Sequence, residues 1–227
     1  MITLISTLPE VEADSAVLAR IKCTFCAYGK YPDIALFWQQ TNDSGEIISL
    51  LCSFDNNMTV WSKSADAELK NFISAIRAAT VFAEADVAAS LGVRGDSLYA
   101  VMTLSGATDT KNIVNTDALY EIFKGEFNIV RAEFIADVSH RLRHGSGKCV
   151  IKENSAAFMQ LSETCGYITG IVVGEKDRFK GQGSALLGEL LELNKQMKVY
   201  ACCSEKVLPF YIKNNFSKIS PCVIGSI

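Results

Sequence analysis

The chain has 227 residues, 49% of them hydrophobic and 21% charged, with four prolines and 15 glycines. That composition excludes a linker-rich or disordered chain and leaves room for one large domain or two small ones. A net charge of -3 gives the molecule as a whole no nucleic-acid signature.

The charge is uneven. Residues 1–114 carry 8 Lys/Arg against 13 Asp/Glu, and residues 115–227 carry 14 against 12. The second half is the better host for an anionic ligand. No hydrophobic run approaches a membrane-spanning length, and the opening Met1-Ile2-Thr3-Leu4-Ile5 is too short and too neutral for a signal peptide. The expectation is a cytoplasmic protein with no membrane partner. Its eight cysteines are then reduced and mostly buried. Cys23-x-x-Cys26 has no second pair or nearby histidines, so no metal site is expected.

In chain order, Asp14 reads as the N-cap of a helix through Ile21, and Ile34–Trp38 and Glu46–Phe54 read as strands. Asp55-Asn56-Asn57 is a turn into Met58–Trp61. From Ser64 to Ala78 the residues Leu69, Phe72, Ile73 and Ile76 recur at helical spacing. Thr80–Ala83 is a strand, Asp86–Leu91 a short helix stopped by Gly92, and Leu98–Leu104 a strand. Ser105–Asn115 is small and polar, the candidate linker. Helices follow at about Thr116–Phe127 and Val130–Arg143, then strands at Lys148–Glu153, Ala156–Leu161 and Tyr167–Val173. After a charged loop come a helix to about Asn194, a strand Lys198–Cys203, a short helix Val207–Asn214 and a strand near Ser217–Ile224.

The loop is the most informative stretch. A β-branched run, Ile171-Val172-Val173, leads into Arg178-Phe179-Lys180-Gly181-Gln182-Gly183-Ser184, and a leucine-rich helix follows at once. Backbone N–H groups in a first helical turn have no partners within the helix, and the macrodipole favours an anion there. Gly181 and Gly183 let a phosphate approach the backbone, and Arg178 and Lys180 add positive charge. The stretch lacks the Gly-Lys-Ser/Thr ending of a P-loop and the third glycine of a Rossmann turn. The two halves also repeat loosely. Ala35–Trp38, Leu51–Ser53 and Val81–Ala83 match Ala156–Met159, Ile171–Val173 and Val199–Ala201 at a near-constant offset. In that alignment the first half carries Asp55–Val60 where the second carries its glycine loop.

Arg178-Phe179-Lys180-Gly181-Gln182-Gly183 resembles the Arg/Gln-x-x-Gly-x-Gly/Ala motif of the GCN5-related N-acetyltransferases (GNAT). Leu208-Pro209-Phe210-Tyr211-Ile212-Lys213-Asn214-Asn215-Phe216 is similar to that family's Leu-Tyr-x-Lys-x-Gly-Phe segment. The resemblance covers roughly residues 116–224. It implies an α/β fold with a mixed α+β sheet in two tandem halves: a degenerate domain over 1–110 and an acetyl-CoA-binding acetyltransferase domain over 115–227. It also implies that Ile171, Val172 and Val173 meet the pantetheine arm, and that Arg178, Phe179, Lys180, Gly181, Gln182, Gly183 and Ser184 form the pyrophosphate cradle. Ser204 stands where an Asn often contacts the cofactor. Tyr211 would protonate the departing coenzyme A thiolate, its ordinary pKa near ~10 keeping the proton available. The reaction implied is direct attack of an unidentified amine on the thioester, with no metal and no nucleic acid. The alternative is a non-catalytic acyl-CoA-binding or regulatory module. Oligomeric state stays open, as does the general base, for which Glu163, Glu175 and Asp177 are candidates. His140 and His144, four apart, read as a basic helix end.

Overall fold

Ser15, not Asp14, caps the first helix in the computed structural model, which describes residues 1–106 and 114–227. Its hydroxyl accepts the Leu18 N–H at 3.1 Å, and α1 runs Ala16–Tyr28. Before it, Ile2–Leu4 forms a short strand, β1, paired antiparallel with β2 (Ala35–Thr41). β3 (Ile47–Phe54) and β4 (Asn57–Ser62) make a tight hairpin. Its two turn residues, Asp55 and Asn56, both take positive φ, at 56° and 58°, the backbone that matches the twist of paired strands. α2 (Ala67–Ile76), β5 (Thr80–Glu84), α3 (Ala85–Leu91) and β6 (Arg94–Leu104) follow.

The remaining helices are α4 (Thr116–Phe123), α5 (Arg131–Arg143), α6 (Gln182–Glu192) and α7 (Leu208–Lys213). The remaining strands are β7 (Gly147–Lys152), β8 (Ser155–Leu161), β9 (Cys165–Val172), β10 (Lys198–Cys203) and β11 (Ser217–Ser226). α4 stops four residues short of the expected Phe127, where the chain turns at Gly125. Of the expected linker, residues 107–113 lie outside the described residues. Ser105 at its start is buried rather than loose. Its hydroxyl donates to the Lys195 carbonyl at 2.7 Å and accepts the Met197 N–H at 3.0 Å.

The chain divides into two units, Met1–Met102 with Cys202–Ile227, and Thr103–Ala201. The sequence reading carried a second domain from 115 to 227; here residues 202–227 belong with the first unit. In that unit the strands run β1-β2-β3-β4-β5-β11-β6. All neighbours are antiparallel except β4 and β5. β11 thus lies between β5 and β6, pairing Cys222 with Glu84 on one side and Leu98 on the other. Alternation along the strands sends Leu51, Val60, Val81 and Ala83 to one face, where Leu69 and Ile73 of α2 and Val87, Ala88 and Leu91 of α3 cover them. The opposite face receives α1, with the Arg20 guanidinium 5.2 Å from the Phe82 ring centre.

In the second unit the order is β10-β9-β8-β7, with β10 parallel to β9 and the rest antiparallel. Leu119, Phe123 and Val138 of α4 and α5 pack on Cys149, Ala156, Phe158 and Val172. Leu186, Leu187 and Leu190 of α6 are also buried, and α6 lies on β7, β8 and β9. Burial pushes the Cys149 thiol up from 9.0 to about 12. Between those values the unfolded chain has lost a proton that the folded chain keeps, so stability falls as pH rises through the window. Urea unfolding at pH 8 and pH 10.5 is expected to show that fall, and Cys149→Ala is expected to make it shallower. An equal fall in both proteins would show that this thiol does not contribute.

The two halves match by order of elements, and the match corrects the sequence alignment. β2-β3-β4-α2-β5-α3-β6 is answered by β7-β8-β9-α6-β10-α7-β11. Ala35–Trp38 with Ala156–Met159, and Leu51–Ser53 with Ile171–Val173, were each one strand out of step. Only Val81–Ala83 with Val199–Ala201, on β5 and β10, holds. The counterpart of the glycine loop is therefore the link from β4 to α2, residues 63–66, and not the hairpin turn at Asp55. Unequal loops break a constant offset even where the order of elements is kept.

Candidate functional site

The site is built on β9 and α6. Near the middle of β9 the register with β8 shifts: Phe158 pairs with Gly170 and Met159 with Ile168, leaving Thr169 as the extra residue of a β-bulge. β10 pairs with β9 only from Cys165 to Ile168. Gly170–Val172, beyond the bulge, keep their partners on β8 but have none on the β10 side among the described residues. The strand is splayed there, and backbone groups on that edge are open to an extended ligand. Val172 is buried in the core between half-buried Ile171 and Val173.

A single 3-10 turn, Glu175–Asp177, carries the chain from Gly174 to Arg178. Phe179 then takes φ 65° and Gly181 φ 86° before α6 begins. Gly181 is the N-cap, has no side chain to offer, and no acid stands in the first turn of α6. The first N–H bonded inside the helix is that of Ala185, to the Gly181 carbonyl at 3.0 Å. The N–H groups of Gln182, Gly183 and Ser184 thus stand at a bare, positively polarised helix end. A Cβ on Gly181 would meet nothing within 4 Å, so the approach is open.

The charges differ from the sequence reading. Arg178 does not present free charge. Its Nε donates to the Val173 carbonyl at 3.0 Å and its Nη2 to the Glu126 carboxylate. Lys180 stays largely exposed, 3.8 Å from Asp177. The positive charge that the loop presents comes from the helix end and Lys180.

The other sequence candidates lie elsewhere. Tyr211 and Ser204 belong to the first unit. The Ser204 carbonyl accepts the Val207 and Leu208 N–H groups at 3.0 and 3.1 Å, which starts α7. Tyr211 is only 6% exposed, edge-on to Phe210 and Phe216. Asn215 holds the left-handed turn between them at φ 64°. Burial, followed by charge on Cys203 and Cys202, pushes the Tyr211 phenol well above its ordinary range. Glu163 and Glu175 are exposed turn residues. The rings of His140 and His144 touch, with centroids 4.5 Å apart, at the end of α5. Among the described residues no group of three or more His, Cys, Asp or Glu is placed to hold a metal. Glu126 was missed in the sequence, because a partner 52 residues away leaves no local pattern.

The first unit treats the corresponding helix end differently. Asp66 caps α2 and accepts the Leu69 N–H at 2.8 Å. Glu68 stands in the first turn and accepts the Ile2 N–H at 2.9 Å, and the Gln40 amide donates to both carboxylates. Hydrogen bonds hold the Asp66 carboxyl below its ordinary value, the Leu69 N–H foremost. Two carboxylates already sit where an anion would bind.

No family model and no curated protein sequence matches the chain. Solved structures do. A GCN5-related N-acetyltransferase from Kribbella flavida, 11% identical, matches over 95% of this chain and 96% of its own with a TM-score of 0.57. A GNAT-family acetyltransferase from Colwellia psychrerythraea, 10% identical, matches over 100% and 99% with a TM-score of 0.51. A tandem GNAT protein from the clavulanic acid biosynthesis pathway, also 10% identical, matches over 85% and 82% with a TM-score of 0.51. No helix among the described residues is long and apolar enough to cross a membrane. With its mixed α/β units, bulged and splayed β9 and bare α6 terminus, the chain has the fold of the GCN5-related N-acetyltransferases.

Proposed function

We propose that the protein is an acetyl-CoA-dependent N-acetyltransferase of tandem type. The coenzyme's pyrophosphate rests on Phe179, Lys180, Gly181, Gln182, Gly183 and Ser184, and its pantetheine arm runs along Ile171, Val172 and Val173. A fold hosts many activities, so the reading depends on the site. One observation carries it: among the described residues, β9 has no β10-side partners after Ile168 and runs on into a helix end that no side chain caps. An extended amide-bearing arm suits the open edge, and a phosphate suits the helix end. The carboxylates at the α2 end support a single cradle per chain and a first half that has lost its own. Tyr211 and Ser204 enter on the resemblance.

In the reaction, the nitrogen of a neutral primary amine attacks the thioester carbonyl carbon. The C–N bond forms, the C–S bond breaks, and the sulfur leaves with the electron pair while Tyr211 donates a hydrogen bond to it. The nitrogen loses its surplus proton to solvent.

Titration calorimetry with acetyl-CoA is expected to show one site per chain, and dephosphorylated pantetheine, which lacks the pyrophosphate, should bind at least 100-fold more weakly. Thiol release across a panel of primary amines then identifies turnover. No binding of acetyl-CoA would overturn the proposal. Binding without release by any amine would replace it with that of an acyl-CoA holder.

A further inference from the structure

We propose that Glu126 is a positioning residue for the cradle. Its carboxylate holds the Arg178 guanidinium, which holds the Val173 carbonyl, and together they fix the backbone from Val173 to Gly181 in its anion-ready form. The inference rests on the reading that this loop takes the coenzyme's pyrophosphate.

The loop needs such a hold. Phe179 is a non-glycine residue at φ 65°, a backbone that costs about 1–2 kcal/mol and persists only where the surroundings impose it. Its own ring cannot impose it, being 105% exposed. The neighbouring ion pair cannot either, since Lys180 and Asp177 are 3.8 Å apart and both belong to the loop. The Gly174 N–H is tied to the Ser155 hydroxyl at 3.2 Å, which fixes the loop's entry but not its far end. Arg178, next to the strained residue, reaches outside the loop in two directions.

The other end of the hold is anchored as well. The Glu126 and Phe127 N–H groups donate to the Phe123 carbonyl at 3.0 and 2.9 Å. The Phe123 and Phe127 rings press on Gly170, where a Cβ would come within 2.7 and 3.1 Å of them. The contacts therefore close a circuit: Gly170 of β9, the two rings, Glu126, Arg178, and back to Val173 at the end of the same strand. The bulged part of β9 and the turn after α4 set the cradle together.

Amide hydrogen exchange and coenzyme A titration on the full chain test this. In Glu126→Ala, exchange over residues 174–181 is expected to rise at least tenfold and the Kd for coenzyme A about tenfold. Glu126→Gln keeps an oxygen for Nη2 and should restore loop protection to within threefold, with affinity equal to or tighter than the parent. Arg178→Ala should match Glu126→Ala, and the double variant should be no worse than either, because one residue acts through the other. Unchanged loop exchange in Glu126→Ala would overturn the inference, as would additive losses in the double variant. If the unaltered protein fails to bind coenzyme A, the proposed function falls, while the exchange measurement still decides whether Glu126 orders the loop.

Discussion

Gly181→Asp is expected to abolish coenzyme A binding, lowering affinity by more than 100-fold, while the protein stays folded. Gly181 is the N-cap of α6 at φ 86°, and aspartate tolerates that left-handed backbone better than most residues. Relative to glycine, an aspartate cap changes helix stability by only about a few tenths of a kcal/mol, so the fold does not depend on it. The aspartate would also place a full negative charge where the proposed function puts the pyrophosphate. At about 4 Å, like charges repel by about 1–4 kcal/mol at the dielectric of water or a protein surface, and the ligand carries more than one. Asp66 shows the outcome in the same chain, capping α2 with its own carboxylate. Gly181→Asn provides the cap without the charge and should fall between the two. Calorimetry decides the matter, and a Gly181→Asp protein that binds within threefold of the parent would move the pyrophosphate away from α6.

The second large effect is expected at Tyr211. In Tyr211→Phe, thiol release should fall about 100-fold, with the KM for acetyl-CoA changed less than threefold and the melting temperature nearly unmoved. The magnitude follows from the pKa order. A phenol titrates near ~10 in water and a thiol near ~8.5, so full proton transfer from tyrosine to a thiolate is uphill even before burial. Burial pushes Tyr211 higher still. Such a phenol does not give up its proton; it donates a hydrogen bond that strengthens as charge builds on sulfur. A hydrogen bond to a charged group contributes about 1.5–3 kcal/mol, which sets the ~100-fold expectation. The same argument fixes the pH profile. Deprotonation of Tyr211 should cause no alkaline loss of turnover up to pH ~10, because the folded protein holds this proton past the ordinary phenol range. Turnover in Tyr211→Phe within threefold of the parent would leave Tyr211 as packing against Phe210 and Phe216.

Local signals mark the elements that form the candidate site, and contacts between distant residues complete its geometry. The change from β-branched residues to charge, to glycine and to leucines marked β9, the loop and α6 within a few residues. Gly181 was legible because a helix end without a capping side chain is written in the sequence. The role of Arg178 was not, since a charge beside a glycine loop looks free until Glu126 is found against it. The first half misled for a related reason. Val60 and Leu51 belong to adjacent strands of one hairpin, both apolar, and pattern alone cannot say which of them precedes the helix. The position of β11 lay outside any local signal, because pairing of Cys222 with Glu84 joins segments separated by the whole second unit.

That placement of β11 bears on how the chain is made. The strand that fills the gap between β5 and β6 is translated only after all of the second unit. Until it arrives, the first unit holds two strands with their inner edges unpaired, β5 rich in buried Val81, Phe82 and Ala83. The strand pairings β7-β8, β8-β9 and β9-β10 all lie within the second unit, which can close earlier. Folding on the ribosome therefore finishes at the amino-terminal end last, and a nascent chain arrested before Ser217 should be the species that recruits chaperones or aggregates.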